Sequence, residues 1–157
     1  SNPVHSGYKI IGTYINSTMA LHDAISKGAD EALLLDKNGY VSEGSGENIF
    51  SIKNNTLCTP KTDHCLNGIT RQSVMKIAED LGLQVIEKDI TYEELIESDE
   101  VFFSGTAVEI TPISKIDDVI IGPGSIGPIT EKLQNLYSDI VTGKNDNYKN
   151  WLSLVTD

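Results

Sequence analysis

Residues 67–82, NGITRQSVMKIAEDLG, constrain the fold more than any other stretch of the chain. Ile69, Val74, Ile77, Ala78 and Leu81 fall on or near one face of a helix, and Gly82 follows the last periodic residue as a C-cap. A helix that is apolar on one side must bury that side against another layer. The flanking segments supply it. LQVIEKDI after the helix, and EALLLD, YVSEG, NIFSIK and TLCTP before it, read as strands punctuated by turns at Asn38-Gly39 and Asn54-Asn55. Those four earlier strands read as a meander, not a crossover unit. TYEELIES predicts a short helix capped by Thr91 with Glu94 three residues on, and EVFFSGT, EITPISKID and DVIIG predict further strands. Helices are expected near 14–27, 69–81 and 128–142: the first from Ile15, Met19, Leu21, Ala24 and Ile25, the last opening near Pro128. The fold class is mixed α/β of the α+β kind, in one domain, with no repeat or linker.

The bulk chemistry excludes several functions. A formal net charge of −11 repels phosphate backbones and anionic lipid surfaces, and no Lys/Arg cluster offsets it, so neither nucleic acid nor membrane is an expected partner. No apolar run approaches the roughly 18 residues of a membrane span. Cys58 and Cys65 match neither a redox C-x-x-C pair nor a zinc pair and are expected as reduced thiols of a cytoplasmic protein. A metal site built from Cys58, His64 and Cys65 is crowded and lacks a fourth ligand, so no metal is expected. The start SNPVHSGYK has no charged region followed by an apolar stretch, so it reads as no signal peptide. Residues 1–8 read as a tail, with Ser1 to Pro3 as a tag remnant.

Three small-residue loops and one lysine carry the candidate chemistry. Gly44-Ser45-Gly46 follows Glu43, Asn67-Gly68-Ile69-Thr70 opens a helix, and Ser104-Gly105-Thr106 ends a strand. The unpaired N–H groups of a helix start, beside a hydroxyl, suit an anion or phosphate. Lys9 sits among apolar neighbours in YKIIGTYINS, a setting in which a lysine can become a nucleophile toward carbonyls. Each feature alone has an ordinary reading: a capped helix, a solvated turn carboxylate, a lysine reaching solvent. Pyridoxal phosphate asks for all of them together, because it needs a lysine, a carboxylate beside the ring nitrogen and a phosphate cup.

EGSGENIF (43–50), LCT (57–59), LNGITR (66–71) and SGTAVEITPI (104–113) resemble, in order and spacing, segments of the branched-chain amino-acid aminotransferases of the class IV, fold type IV pyridoxal-phosphate enzymes. The resemblance runs from Lys9 to Leu154. It implies a β pseudo-barrel with flanking helices, pyridoxal 5'-phosphate as cofactor, an amino acid and a 2-oxo acid as small-molecule partners, and a homodimer in the full-length protein. By the same resemblance Lys9 is the lysine that joins the cofactor and moves the substrate proton, Tyr14 meets the ring hydroxyl, and Glu43 meets the ring nitrogen. Gly68, Ile69 and Thr70 hold the phosphate with Thr106, and Thr106 and Ala107 lie near the substrate carboxylate. Lys9, Glu43 and the Gly68–Thr70 turn are then expected around one cleft.

Members of this family carry a small domain ahead of the lysine, so residues 9–157 are expected to be the cofactor-binding large domain alone, a fragment of low or no activity. The implied reaction passes the amino group of Leu, Ile or Val to 2-oxoglutarate. A D-amino-acid aminotransferase, an aminodeoxychorismate lyase and a non-catalytic isolated domain are the alternatives. Glu47 before Asn48, and Ala107, lean toward the branched-chain group.

Overall fold

The computed structural model describes residues 9–153, so the tail expected at 1–8 lies outside the described residues. A 3-10 turn at Ile11–Thr13 leads into helix α1, Tyr14–Ser26. Strands β1 (Leu34–Leu35) and β2 (Val41–Glu43) pair antiparallel around a turn in which Gly39 takes φ 88°. Strands β3 (Asn48–Lys53) and β4 (Thr56–Thr59) form a hairpin. Its turn residues Asn54 and Asn55 take φ 50° and 61°, the left-handed pair that a two-residue hairpin turn requires.

Helix α2 (Ile69–Asp80) then carries the chain to β5 (Gln84–Glu87), which lies parallel to β4. A parallel pair needs a crossover, and α2 is that crossover. Helix α3 (Tyr92–Ile96) opens on a complete capping box between Thr91 and Glu94, as the spacing predicts. Strands β6 (Glu100–Gly105) and β7 (Glu109–Ile113), a ribbon of β8 (Lys115–Ile116) and β9 (Val119–Ile120), helix α4 (Pro128–Val141) and a 3-10 segment at Asp146–Trp151 complete the regular structure.

The class is the expected α+β. The main sheet has five strands in the order β5-β4-β3-β6-β7, beside two two-stranded ribbons. The meander expected over residues 31–60 is corrected in one respect: β2 and β3 belong to different sheets. The cause is local. Gly44 N–H donates to Glu47 O at 2.7 Å, closing a tight loop that turns the chain out of the first ribbon.

Central strands β3 and β6 are buried on both faces and separate two cores. Phe50, Ile52, Leu57 and Phe102 pack under Val74, Ile77 and Ala78 of α2 and Leu133 and Ile140 of α4. Ile49, Val101 and Phe103 pack on the other side with Val41, Ile90, Leu95 and Ile121. Phe50 and Phe102 are cross-strand partners whose rings stack 5.0 Å apart. Ile69 does not join this packing: it is 84% exposed, because the buried stripe of α2 enters the first turn at Thr70 and Arg71. Helix α1 forms where expected, yet it leaves Ile15 and Met19 about two-thirds exposed, at 67% and 68%.

One buried carboxylate fixes α4. Glu100, 6% exposed at the start of β6, accepts from the N–H groups of Ile129 and Thr130 and from Thr130 Oγ1, at 3.0, 2.7 and 2.6 Å. It caps the helix from a neighbouring strand and places negative charge at the positive end of the dipole. Glu100→Ala leaves three donors unpaired and is expected to lower the unfolding free energy by about 3 kcal/mol, measured by urea denaturation. A loss below about 0.5 kcal/mol would show that solvent caps the helix equally well.

Candidate functional site

The 43–47 loop is the hub of the site. Glu43 ends β2 with its carboxylate half-buried, and Oε2 accepts the Leu66 N–H at 3.0 Å. Asn48, at the start of β3, is 6% exposed and donates from Nδ2 to Leu66 O at 2.6 Å. Leu66 is therefore gripped at both backbone groups by side chains from two strands. Ser42 Oγ donates to the carbonyl of His64 in the same segment.

Two glycines are required by close approach. A Cβ at Gly44 would lie 2.8 Å from Glu47 Oε2 and 2.9 Å from Phe103 Cε1, and a Cβ at Gly68 would overlap the side-chain oxygen of Asn48. Gly68 is also the N-cap of α2, so no capping side chain covers the first turn. The leading N–H groups of a 12-residue helix are thus presented next to the Glu43 loop. Gly105 approaches the same loop from β6, its Cβ position 3.7 Å from Gly46 O and from Glu47 Cγ. Thr106 and Ala107 follow it in solvent.

Of the residues singled out in the sequence, Glu43, Gly68, Ile69, Thr70, Thr106 and Ala107 are carried by three neighbouring loops. Ile69 is exposed there and Thr70 is buried. Lys9 lies exposed ahead of α1 and Tyr14 exposed as its first residue, and among the described residues no hydrogen bond or ion pair joins either to the Glu43 loop.

The electrostatics favour a cation at Glu43. Burial raises its carboxyl above the usual carboxylate range, and the Leu66 N–H opposes the shift only in part. Glu47 is raised as well, by burial first and then by the charges of Glu31 and Glu43, against the Gly46 N–H. The stability that both acids contribute is lost as the pH rises through their raised folded values, because the ionised forms are the ones the fold disfavours. A protonated ring nitrogen at Glu43 would reverse that penalty with a charge-assisted bond. The uncapped start of α2 suits the opposite charge, so the residues present fit a ligand with a cationic ring at one end and a phosphate at the other.

Sequence reasoning missed the residues that support these loops. Arg71, 2% exposed, reaches Asn67 Oδ1 at 3.2 Å, Pro60 O at 2.9 Å and Glu87 Oε2 at 2.5 Å, tying segment 60–67 to α2 and β5. Its place at the end of LNGITR was the available signal. His64, weighed as a metal ligand, has its ring between Asp36 and Asp89. Cys65 is fully buried with its thiol pushed up to about 11, by burial above all. No group of three or more His, Cys, Asp or Glu residues suited to a metal ion occurs among the described residues, and no helix there is long and apolar enough to cross a membrane.

Comparison with known proteins gives concordant findings. The family model described as amino-transferase class IV matches residues 1–116. The branched-chain-amino-acid aminotransferase of Pseudomonas aeruginosa is 53% identical over 144 residues, covering 92% of this chain and 47% of that protein. Among solved structures, the branched-chain aminotransferase of the thermophilic archaeon Thermoproteus uzoniensis with norvaline superposes with a TM-score of 0.90 at 48% identity, covering 94% of this chain and 49% of that one. The PLP form of the Thermobaculum terrenum branched-chain amino acid aminotransferase superposes with a TM-score of 0.93 at 38% identity, covering 96% and 50%. The chain spans about half the length of the relatives it matches.

Proposed function

Because this chain belongs to the amino-transferase class IV family, we propose that it is the pyridoxal 5'-phosphate-binding domain of a branched-chain amino-acid aminotransferase. The observation that carries the reading is the grip on Leu66: the bond that fixes the half-buried Glu43 belongs to the segment that delivers the uncapped start of α2. One short stretch thereby sets the spacing between a site for a cationic ring nitrogen and a site for a phosphate.

Bound pyridoxal phosphate supplies an electron sink that makes the α-hydrogen of an amino acid acidic. The chain's own residues do the rest. Glu43 keeps the proton on the ring nitrogen, and Tyr14 orients the ring through its hydroxyl oxygen. Ile69 and Thr70 bind the phosphate with backbone N–H groups, Gly68, whose own N–H donates to Leu66 O at 2.9 Å, lets the helix start approach it, and Thr106 adds a further contact. The backbone at Thr106 and Ala107 orients the substrate carboxylate. Lys9 Nζ holds the cofactor and then carries the substrate's α-proton.

Leucine, isoleucine and valine as donors and 2-oxoglutarate as acceptor are the proposed substrates, with turnover assigned to the protein at the length of its relatives. A cytoplasmic homodimer is the proposed setting. The free thiols Cys58 and Cys65 support the first part, and the apolar residues that α1 leaves in solvent support the second.

The test has two arms. Pyridoxal 5'-phosphate added to residues 1–157 should give a new absorbance band at the visible edge and a higher thermal midpoint. The full-length protein should form glutamate from each branched-chain donor, and residues 1–157 alone should be slower by several orders of magnitude, the scale of lost positioning. A preference for D-amino acids, or lyase activity on aminodeoxychorismate, would overturn the substrate assignment. Absence of any cofactor-dependent signal in both proteins would overturn the whole reading.

A further inference from the structure

Two Asn-Gly pairs stand in turns of this chain, Asn38-Gly39 between β1 and β2 and Asn67-Gly68 at the N-cap of α2. In such a pair the glycine carries no side chain to block its nitrogen, which can attack the asparagine amide carbon. The glycine N–H is engaged in both pairs, with Asp36 O at 3.2 Å and Leu66 O at 2.9 Å, so attack waits on one bond opening at either place. The two pairs differ in what surrounds the amide.

Asn67 is exposed, and its Oδ1 accepts from Arg71 Nη1 at 3.2 Å. A guanidinium only donates, so the atom facing it is the amide oxygen. Arg71 is 2% exposed, so solvent screens its charge weakly, and Glu87 takes Nη2 and leaves Nη1 to Asn67. The backbone carbonyl of Asn67 meets a second donor, Gln72 Nε2, at 3.4 Å. Both carbonyls of the ring that Gly68 N would close with Asn67 therefore face donors. At Asn38 the polarity is reversed. Its Nδ2 donates to Asp36 Oδ2 at 3.4 Å and its N–H to Asp36 Oδ1 at 2.8 Å, so an anion lies beside the amide. Negative charge developing on the amide oxygen during attack is stabilised at Asn67 and opposed at Asn38.

We propose that Asn67-Gly68 is a self-modification site, at which ring closure and hydrolysis convert the Asn67 amide to a carboxylate that competes with phosphate for the start of α2. The bond from Gly68 N to Asn67 Cγ forms as the bond from Cγ to Nδ2 breaks, and the proton released from Gly68 N is balanced by the one that Nδ2 takes up in leaving as ammonia. One water then opens the succinimide, at Cγ to give aspartate or at the Asn67 backbone carbon to give isoaspartate; nothing is oxidised or reduced. The new carboxylate stands just ahead of the N–H groups that head α2. Its charge suits the cofactor-free helix and repels an incoming phosphate. The modification does not rest on the function proposed above; its effect on the cofactor does.

Cofactor-free residues 1–157, incubated folded at mildly alkaline pH and then digested, test the chemistry by peptide mass spectrometry. The peptide containing Asn67 should convert roughly tenfold faster than the one containing Asn38, a modest share of what an oriented donor contributes at an oxyanion. In the urea-unfolded chain the two should convert at similar rates. Asn67→Gln, which would need a larger ring, should stop conversion at that position and leave Asn38 as it was. Asn67 converting no faster than Asn38 in the folded chain, or the same ratio folded and unfolded, would overturn the proposal.

The cofactor arm uses pyridoxal 5'-phosphate itself. Its affinity should fall roughly tenfold in Asn67→Asp and in the fully converted wild type, less so at high salt, and Asn67→Gln should show no such loss with time. Saturating cofactor should slow conversion, because phosphate on the Ile69 and Thr70 N–H groups holds the helix start closed. Unchanged affinity after complete conversion would overturn the competition with phosphate, and the converted wild type gives this reading even if Asn67→Asp fails to fold. Rapid conversion at Asn67 in a chain that, when fresh, captures no cofactor supports the modification site and counts against the function proposed above.

Discussion

Lys9→Ala in the full-length protein is expected to reduce kcat/KM for leucine by at least about 10⁴-fold. In the proposed function, holding the cofactor and moving the α-proton both fall to Lys9 Nζ. Proton transfer by a placed group is worth about 10²–10⁴ by itself, and the covalent role adds to it. The loss should be chemical, not structural, because Lys9 is exposed and its side chain belongs to neither core. Melting temperature without cofactor should therefore be unchanged. Borohydride treatment of the wild type should leave the cofactor mass on the peptide containing residue 9, and a small external amine should restore part of the variant's rate. A trapped cofactor on another lysine, or a variant near wild-type speed, would remove Lys9 from the mechanism.

Glu43→Gln should separate stability from function in opposite directions. The carboxyl is raised by burial, so its contribution to stability is complete at low pH and is lost as the pH rises through the raised folded value. Above that pH the ionised side chain is a burden on the cofactor-free fold. Glutamine removes the charge and keeps an oxygen for the Leu66 N–H, so the cofactor-free variant should be as stable as wild type or more so near neutral pH. Its activity should nevertheless fall by about 10²–10³-fold, since a neutral amide no longer holds a proton on the ring nitrogen against the electron demand of the reaction. Thermal unfolding without cofactor and steady-state transamination on the same preparation give both readings. A variant that is both strongly destabilised and inactive would mean that Glu43 acts as a structural bond only. A fully active variant would exclude it from the site.

The elements were legible in the sequence because they are local. The stripe Val74, Ile77 and Ala78, the capping box at Thr91 and Glu94, and the turn at Asn54-Asn55 each depend on residues within a few positions of one another. Glu43 stands out locally, immediately before its small-residue loop, but a role at a ring nitrogen comes only from the family resemblance. Long-range pairings were not. Glu100 caps a helix 30 residues away, and Arg71 reaches Glu87 16 residues on; neither distance leaves a mark in local periodicity. The sheet change between β2 and β3 was hidden because a tight loop between two strands reads alike whether or not they pair. Helix α1 shows the converse case. Its apolar spacing specified a helix but not a partner, and within the described chain most of that face meets solvent.

The position of β6 has a consequence for how the molecule assembles. Its neighbour β3 finds β4 across a two-residue turn, but meets β6 only after α2, β5 and α3 have been spanned. Closing so long a loop carries an entropic cost before any contact offsets it, so the docking of β6 belongs among the late, slow events of folding. That one step inserts Phe102 into one core and Phe103 into the other, sets Glu100 where α4 can start on it, and brings Gly105 against Gly46 O and the Glu47 side chain. Both halves of the interior and the three-loop site therefore mature together. Partly folded chains that lack β6 have no complete version of the proposed site, and a ligand that needs all three loops recognises only the finished molecule.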